Sequence, residues 1–297
     1  MHLIIFIWGF TGILGKLIHL DAIVIVWYRI LIAVICLAFF FLLTKRSFKI
    51  EIKQLLKISI VGIIVASHWL TFYYSIQLST ASLGILCLST TTLHVTWLEP
   101  LVMKRRFSWI EFLLSCCVIY GIYFVSGDFS PKEMTALYFG LLSALCAALF
   151  SVFNAKISQA VPATHITFYE LIIGFVFVSI FLISIGRMNP QILQMNYSDF
   201  AWLLFLGIIC TSFAFLVTIE IMKRLGTFTV SLSINLEPVY TILLAIFILK
   251  EHELLNSKFY IGAMIIIFVV LLNGLLKHYQ KKKEKQKTIN ESINGIY

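Results

Sequence analysis

Four ionisable side chains stand inside long apolar runs: Arg29, His68, Glu170 and Glu237. At bilayer depth such a group costs roughly 3 kcal/mol or more unless it is paired or hydrated, which makes each a candidate functional position. Glu237 shares a helical stripe with Ser233 and Thr241, one turn to either side, and Pro238 frees a carbonyl one turn back. A polar stripe beside a kink suits a hydrated path for a proton or a substrate. His68 precedes Trp69, Thr71, Tyr73 and Tyr74, and an imidazole exchanges its proton near neutral pH. His94, with Thr90 one turn before it and Trp97 after it, repeats the theme nearer a surface. Trp8, Trp69 and Tyr73 offer ring faces on which a planar or cationic ligand could stack.

Other chemistries lack their residues. The 6 cysteines form no C-x-x-C pair and have no histidines at zinc spacing, so no metal site or disulfide framework is expected. Gly9, Gly12 and Gly15 stand three apart but precede no Lys-Ser/Thr pair, and they read as a smooth helix strip rather than a phosphate loop. Neither paired Asp residues nor a His-rich motif is present, so a membrane enzyme is not expected, and no cofactor is.

The elements that must hold these groups follow from composition. Of 297 residues, 60% are apolar and 12% are charged, too little polar surface to coat a water-soluble globule. A bilayer core of about 30 Å takes roughly 20 apolar residues in a helix. Ten such runs lie near 2–18, 22–44, 56–77, 81–102, 108–126, 135–157, 163–186, 200–222, 227–249 and 259–276. Runs such as Ile60–Ala66 show none of the alternation of a β-barrel strand. Residues 1–18 lack a basic start and a small-residue cleavage site, and are expected as a retained first span.

Charge sets the expected orientation. With the N-terminus inside, 17 of the 23 Lys and Arg fall in inner loops and the tail, against 5 outside, with Arg29 within a span. The bias places both termini in the cytoplasm, with residues 277–297 as a basic tail.

The two halves echo each other. Trp27-Tyr28-Arg29 matches Phe168-Tyr169-Glu170, Gly62–Ser67 matches Gly207–Ser212, and Thr90–Gly127 aligns with Glu237–Gly274. Five helices per copy is odd, so the second copy must be upside down, and loop charges swap accordingly: Lys104-Arg105-Arg106 corresponds to Glu251-His252-Glu253. The expected units are residues 1–127 and 128–276. Arg29 and Glu170 occupy equivalent positions in the two copies and are expected to pair across them.

Trp8-Gly9 followed by Lys16, Arg29 in the second span, and Leu236–Thr241 leading to Leu249-Lys250-Glu251 resemble the EamA branch of the drug/metabolite transporter (DMT) superfamily. The chain departs from that pattern at Thr91 and Lys104, where the second copy has Pro238 and Glu251. The resemblance implies an all-α integral membrane fold, ten transmembrane helices in two inverted five-helix repeats, in a bacterial inner (plasma) membrane. It also implies export of amino acids or related small metabolites, by proton exchange in some members. The alternatives are a passive channel, a sensor, or a DMT-type transporter of a drug cation or nucleotide-derived metabolite. The expected partners are a small-molecule metabolite and the lipid bilayer, with proton coupling and a homodimer left open, and nucleic acid excluded.

Overall fold

The computed structural model describes residues 1–104, 107–189, 194–225 and 236–294; the side chains at 219, 220, 222–225, 277, 280, 281 and 283–294 are left aside. Among these residues every regular element is a helix. They are α1 (His2–Leu17), α2 (Ala22–Leu43), α3 (Ile52–Leu78), α4 (Ala81–Ser89), α5 (Thr91–Met103), α6 (Trp109–Ser126), α7 (Pro131–Ile157) and α8 (Ala163–Ser184). After these come α9 (Tyr197–Leu204), a π-helical stretch (Phe205–Phe213) that runs on into α10 (Ala214–Leu225), then α11 (Glu237–Leu249) and α12 (Ser257–Asn294). Eight segments are long and apolar enough to cross a membrane, and α1 and α11 are shorter apolar helices. The ten runs of the sequence are thus helical in the regions described, and α12 carries on into the basic tail as far as Asn294.

Two runs expected as plain helices depart from regularity where they meet polar residues. The run at 81–102 breaks at Thr90 into α4 and α5. Exposed backbone polar groups are costly in lipid, so a break needs substitutes for the lost bonds. The hydroxyl block supplies them: Ser89 Oγ donates to the Ile85 carbonyl (3.0 Å), Thr90 Oγ1 to Cys87 (2.6 Å) and Thr91 Oγ1 to Leu88 (2.6 Å). In the π-helical stretch, Thr211 Oγ1 donates to the Leu206 carbonyl (2.8 Å) and Ser212 Oγ to Gly207 (3.0 Å), both five residues back. The wider turn rotates Thr211 toward α2. Pro238 falls in the first turn of α11, where its missing N–H removes no bond within that helix, and the carbonyl one turn back that it was expected to free lies outside the described residues.

Helices approach closely where glycine permits. A Cβ on Gly62 of α3 would lie 2.7 Å from the Glu170 carbonyl of α8, and one on Gly207 would lie 2.6 Å from Ile32 of α2. Two pairs of helices agree in length: α2 and α8 both have 22 residues, while α5 and α11 both have 13 and end on left-handed lysines, Lys104 (φ 54°) and Lys250 (φ 55°).

The face where α1 begins is here the terminal face, and the face where α1 ends the distal face. The distal face is stitched by polar contacts. Arg187 pairs with Asp21 (2.6 Å), Lys258 with Asp128 (2.6 Å), Asp199 accepts from the His19 backbone (3.0 Å), and Gln77 binds both Ala22 N–H (2.9 Å) and the Leu20 carbonyl (2.7 Å). Beneath them lies one apolar core built from α1, α2, α3, α8 and the π-helical stretch, and a second from α4, α6, α7 and α12.

Candidate functional site

A cavity of about 390 Å³ lies in the middle of the bundle, between Trp8 of α1, Arg29 of α2, His68 and Trp69 of α3, Glu170 of α8 and Glu237 of α11. Six side chains singled out by the sequence therefore meet in one place.

Arg29 and Glu170 each lie seven residues into a 22-residue helix, but those helices start from opposite faces. At about 1.5 Å per residue, Arg29 sits about 10 Å below the distal face and Glu170 about 10 Å above the terminal face. The cavity spans the interval between them.

Arg29 is 5% exposed and is held on three sides. Its Nε donates to Thr211 Oγ1 (3.0 Å), one Nη donates to the Tyr73 hydroxyl (3.2 Å), and its guanidinium carbon lies 4.2 Å from the Trp69 ring centroid. The planar guanidinium suits this combination of fork and stacked ring, which a lysine could not reproduce. Arg29 is also the charged neighbour that acts on Glu237.

The expected Arg29–Glu170 bridge is absent in this structure. The π-helical turn and α3 engage the guanidinium on the distal side, while Glu170 faces α7 at the other end of the cavity. Seven residues in from opposite faces, the two side chains stay apart.

His68 is held by α7. Its Nδ1 lies 3.0 Å from the Ser143 carbonyl and 2.8 Å from Ser143 Oγ, and Ser143 Oγ is 3.1 Å from the His68 carbonyl. Because a carbonyl only accepts, Nδ1–H donates to it and a neutral ring keeps its acceptor on Nε2. The aromatic wall is Trp8, Trp69 and Phe72, with Phe150 5.5 Å from the His68 ring.

Other expected positions point elsewhere. Thr90 closes the α4–α5 break. His94 is half-buried against Trp97, ring to ring 6.5 Å, and neither it nor Thr90 lines the cavity. Thr241 donates to the Glu237 carbonyl (3.0 Å) and packs where a Cβ on Gly9 or Gly12 would sit, so it joins α11 to α1. Tyr73 serves the site through Arg29. Ser233 lies outside the described residues.

The structure adds groups that sequence reasoning passed over. On α7, Ala147, Phe150, Ser151 and Asn154 form a cavity-facing stripe, and on α8 Thr167 and Leu171 join the already expected Glu170 in another. The signal was present: two polar residues at i and i+3 in an apolar span mark a face. Glu251, expected only as a loop charge, is 2% exposed and caps α4, accepting from Ala81 N–H (2.7 Å) and Ser82 N–H (3.0 Å). Lys16, named in the sequence through the family resemblance, donates to the Ser79 carbonyl next to that cap and feels the Glu251 charge. Among the described residues no group of three His, Cys, Asp or Glu could hold a metal.

The model of the EamA-like transporter family matches residues 1–127 and 134–275 of this chain. The protein called uncharacterized transporter YoaV, of Bacillus subtilis (strain 168), is 22% identical over 276 residues, covering 90% of this chain and 92% of its own length. A crystal structure of a protein 14% identical superposes with a TM-score of 0.63, over 93% of this chain and 96% of that one, which concerns the fold alone.

Proposed function

The chain belongs to the EamA-like transporter family and is a multi-pass membrane protein, and from that premise we propose that it is a secondary active transporter exporting amino acids or related small metabolites by alternating access. The observation that carries this reading is the central cavity with Arg29, His68, Glu170 and Glu237 at its wall. Its volume of about 390 Å³ falls within the roughly 300–1,000 Å³ range of small-molecule sites. The Glu251 cap and the Arg187–Asp21 pair join elements on the distal side, and the lining reaches Asn154 and Thr167, close to the terminal ends of α7 and α8. A ligand site between two inverted halves is where an alternating-access cycle would hold its substrate.

The paired lengths of α2 with α8 and α5 with α11, the twin left-handed lysines, and Gly62 and Gly207 in matching contacts support two inverted five-helix units, 1–127 and 128–276. With the termini cytoplasmic, the Glu170 end of the cavity is its inner end. Alkaline phosphatase fused after Gly127 should then be active and after Lys287 inactive, and the reverse pattern overturns the orientation. Glu237 and His68 are the groups proposed to exchange protons with the pathway.

A metabolite panel in proteoliposomes, scoring counterflow and pH dependence together, tests the transport reading. Saturable counterflow of an amino acid or similar solute is expected. Linear, non-saturating flux would mark a channel instead, and no flux of any solute would remove the transport reading.

A further inference from the structure

We infer that the Glu170 corner of the cavity is a subsite for a primary ammonium group, an inference that rests on the cavity being the ligand site. Glu170 is 6% exposed, and its Oε1 has no hydrogen-bond donor among the described residues. Asn154, the polar side chain beside it, has a buried Oδ1 in the same condition. The hydroxyls on the same two stripes cannot supply the missing protons. Thr167 Oγ1 donates to the Ala163 carbonyl (3.0 Å), and Ser151 Oγ donates to Ala147 (2.7 Å). Each hydroxyl thus commits its one proton to its own helix and leaves only lone pairs for the cavity.

With the Asn154 amide N–H engaged by Glu170, what the corner leaves unanswered is acceptors: a carboxyl oxygen and an amide oxygen, beside two hydroxyl oxygens. Buried acceptors without donors carry an unrecovered desolvation penalty, which a suitable ligand relieves. A primary ammonium has three donors and no acceptor, the complement of this set. A carboxylate or phosphate would add acceptors to acceptors. Selectivity over a neutral hydroxyl follows as well, since a site that hydrogen-bonds and charge-pairs a group rejects analogues lacking it. Arg29, at the far end, brings a cation with N–H donors and so makes the two ends chemically unlike. Phe150, a member of the α7 stripe, offers a ring to the carbon skeleton next to the ammonium.

The test is calorimetric titration of the purified full-length protein in detergent with 2-phenylethylamine, 2-phenylethanol and phenylacetate, which share a ring and differ in the head group. Saturable amine binding is expected, at least tenfold tighter than the alcohol or the carboxylate. Glu170→Gln should weaken the amine at least tenfold while leaving the alcohol unchanged, and Asn154→Ala should weaken the amine several-fold. Should Glu170→Gln not purify as a folded protein, Glu170→Asp, which withdraws the carboxylate by one methylene, must still weaken the amine. Absence of amine binding, equal amine and alcohol affinities, displacement of the amine by millimolar sodium, or unchanged binding in these variants would overturn the subsite. The titration needs no gradient, so amine binding without counterflow would remove the transport reading and leave the subsite standing. Counterflow without amine preference would do the opposite.

Discussion

Glu251 and Glu170 are both carboxylates buried in the bundle, 2% and 6% exposed, and they do opposite things. Glu251 places one oxygen on each of two backbone N–H groups at the start of α4, with Lys16 close by. There the helix dipole and two orphan donors favour the negative charge, and each oxygen is answered by a backbone N–H. Glu170 has an oxygen that no donor reaches and a cavity in front of it. Burial alone does not separate a latch from a binding group. The hydrogen-bond inventory does.

The largest effect expected from that contrast is on stability at the latch. Glu251→Ala leaves two buried N–H groups without acceptors and Lys16 without its counter-charge, which should cost about 3 kcal/mol. Thermal unfolding in detergent measures it, and an unshifted transition would mean that Glu251 is no more structural than Glu170. Next in size is a functional loss without a structural one. Glu237→Gln keeps shape and hydrogen bonding but cannot titrate, so it should insert and unfold like the parent while pH-driven uptake in proteoliposomes falls at least tenfold. Undiminished pH-driven uptake would move Glu237 to the structural class with Glu251.

A smaller change is expected when Glu170→Gln is unfolded in the absence of ligand. Removing a carboxylate with one unanswered oxygen should shift stability by less than about 1 kcal/mol in either direction. A loss as large as that at Glu251 would show that its second oxygen supports the fold. The smallest expected quantity is the coupling between Arg29 and Glu170. Since they do not touch, Arg29→Glu with Glu170→Arg should lose what the two single variants lose, additive within about 0.5 kcal/mol. Partial rescue of transport by the double variant would restore the bridge expected from the repeat.

Much of the site was legible because an ionisable group in an apolar run has few places to go. Arg29, His68, Glu170, Glu237, Trp8 and Trp69 all line one cavity. Thr90, Thr241 and His94 fall outside the lining. Thr241 and Thr90 were chosen because they share a helical stripe with Glu237 and His94, but a stripe does not say which neighbour it meets: Thr241 fills a glycine notch on α1 and Thr90 closes the α4–α5 break. Asn154 was passed over because it lies near a helix end, where an amide needs no explanation; only its place beside Glu170 gives it one. Glu251 was taken for a loop charge because nothing local shows that α4 begins against it, 170 residues away in the chain from Ala81.

Composition and hydropathy by themselves determined that the chain is an all-helical membrane protein, because lipid offers the backbone no other partner than its own next turn. Their periodicity also located the spans within a few residues and marked which of them carry charge. Which carboxylate latches and which one waits, whether Arg29 meets Glu170 or Thr211, and where the helix at 205–213 widens were decided only by tertiary structure. Those outcomes depend on which side of each helix meets a neighbour and on donors supplied from distant segments, and a side chain's partner across a helix interface is a property of packing that no local window of sequence contains.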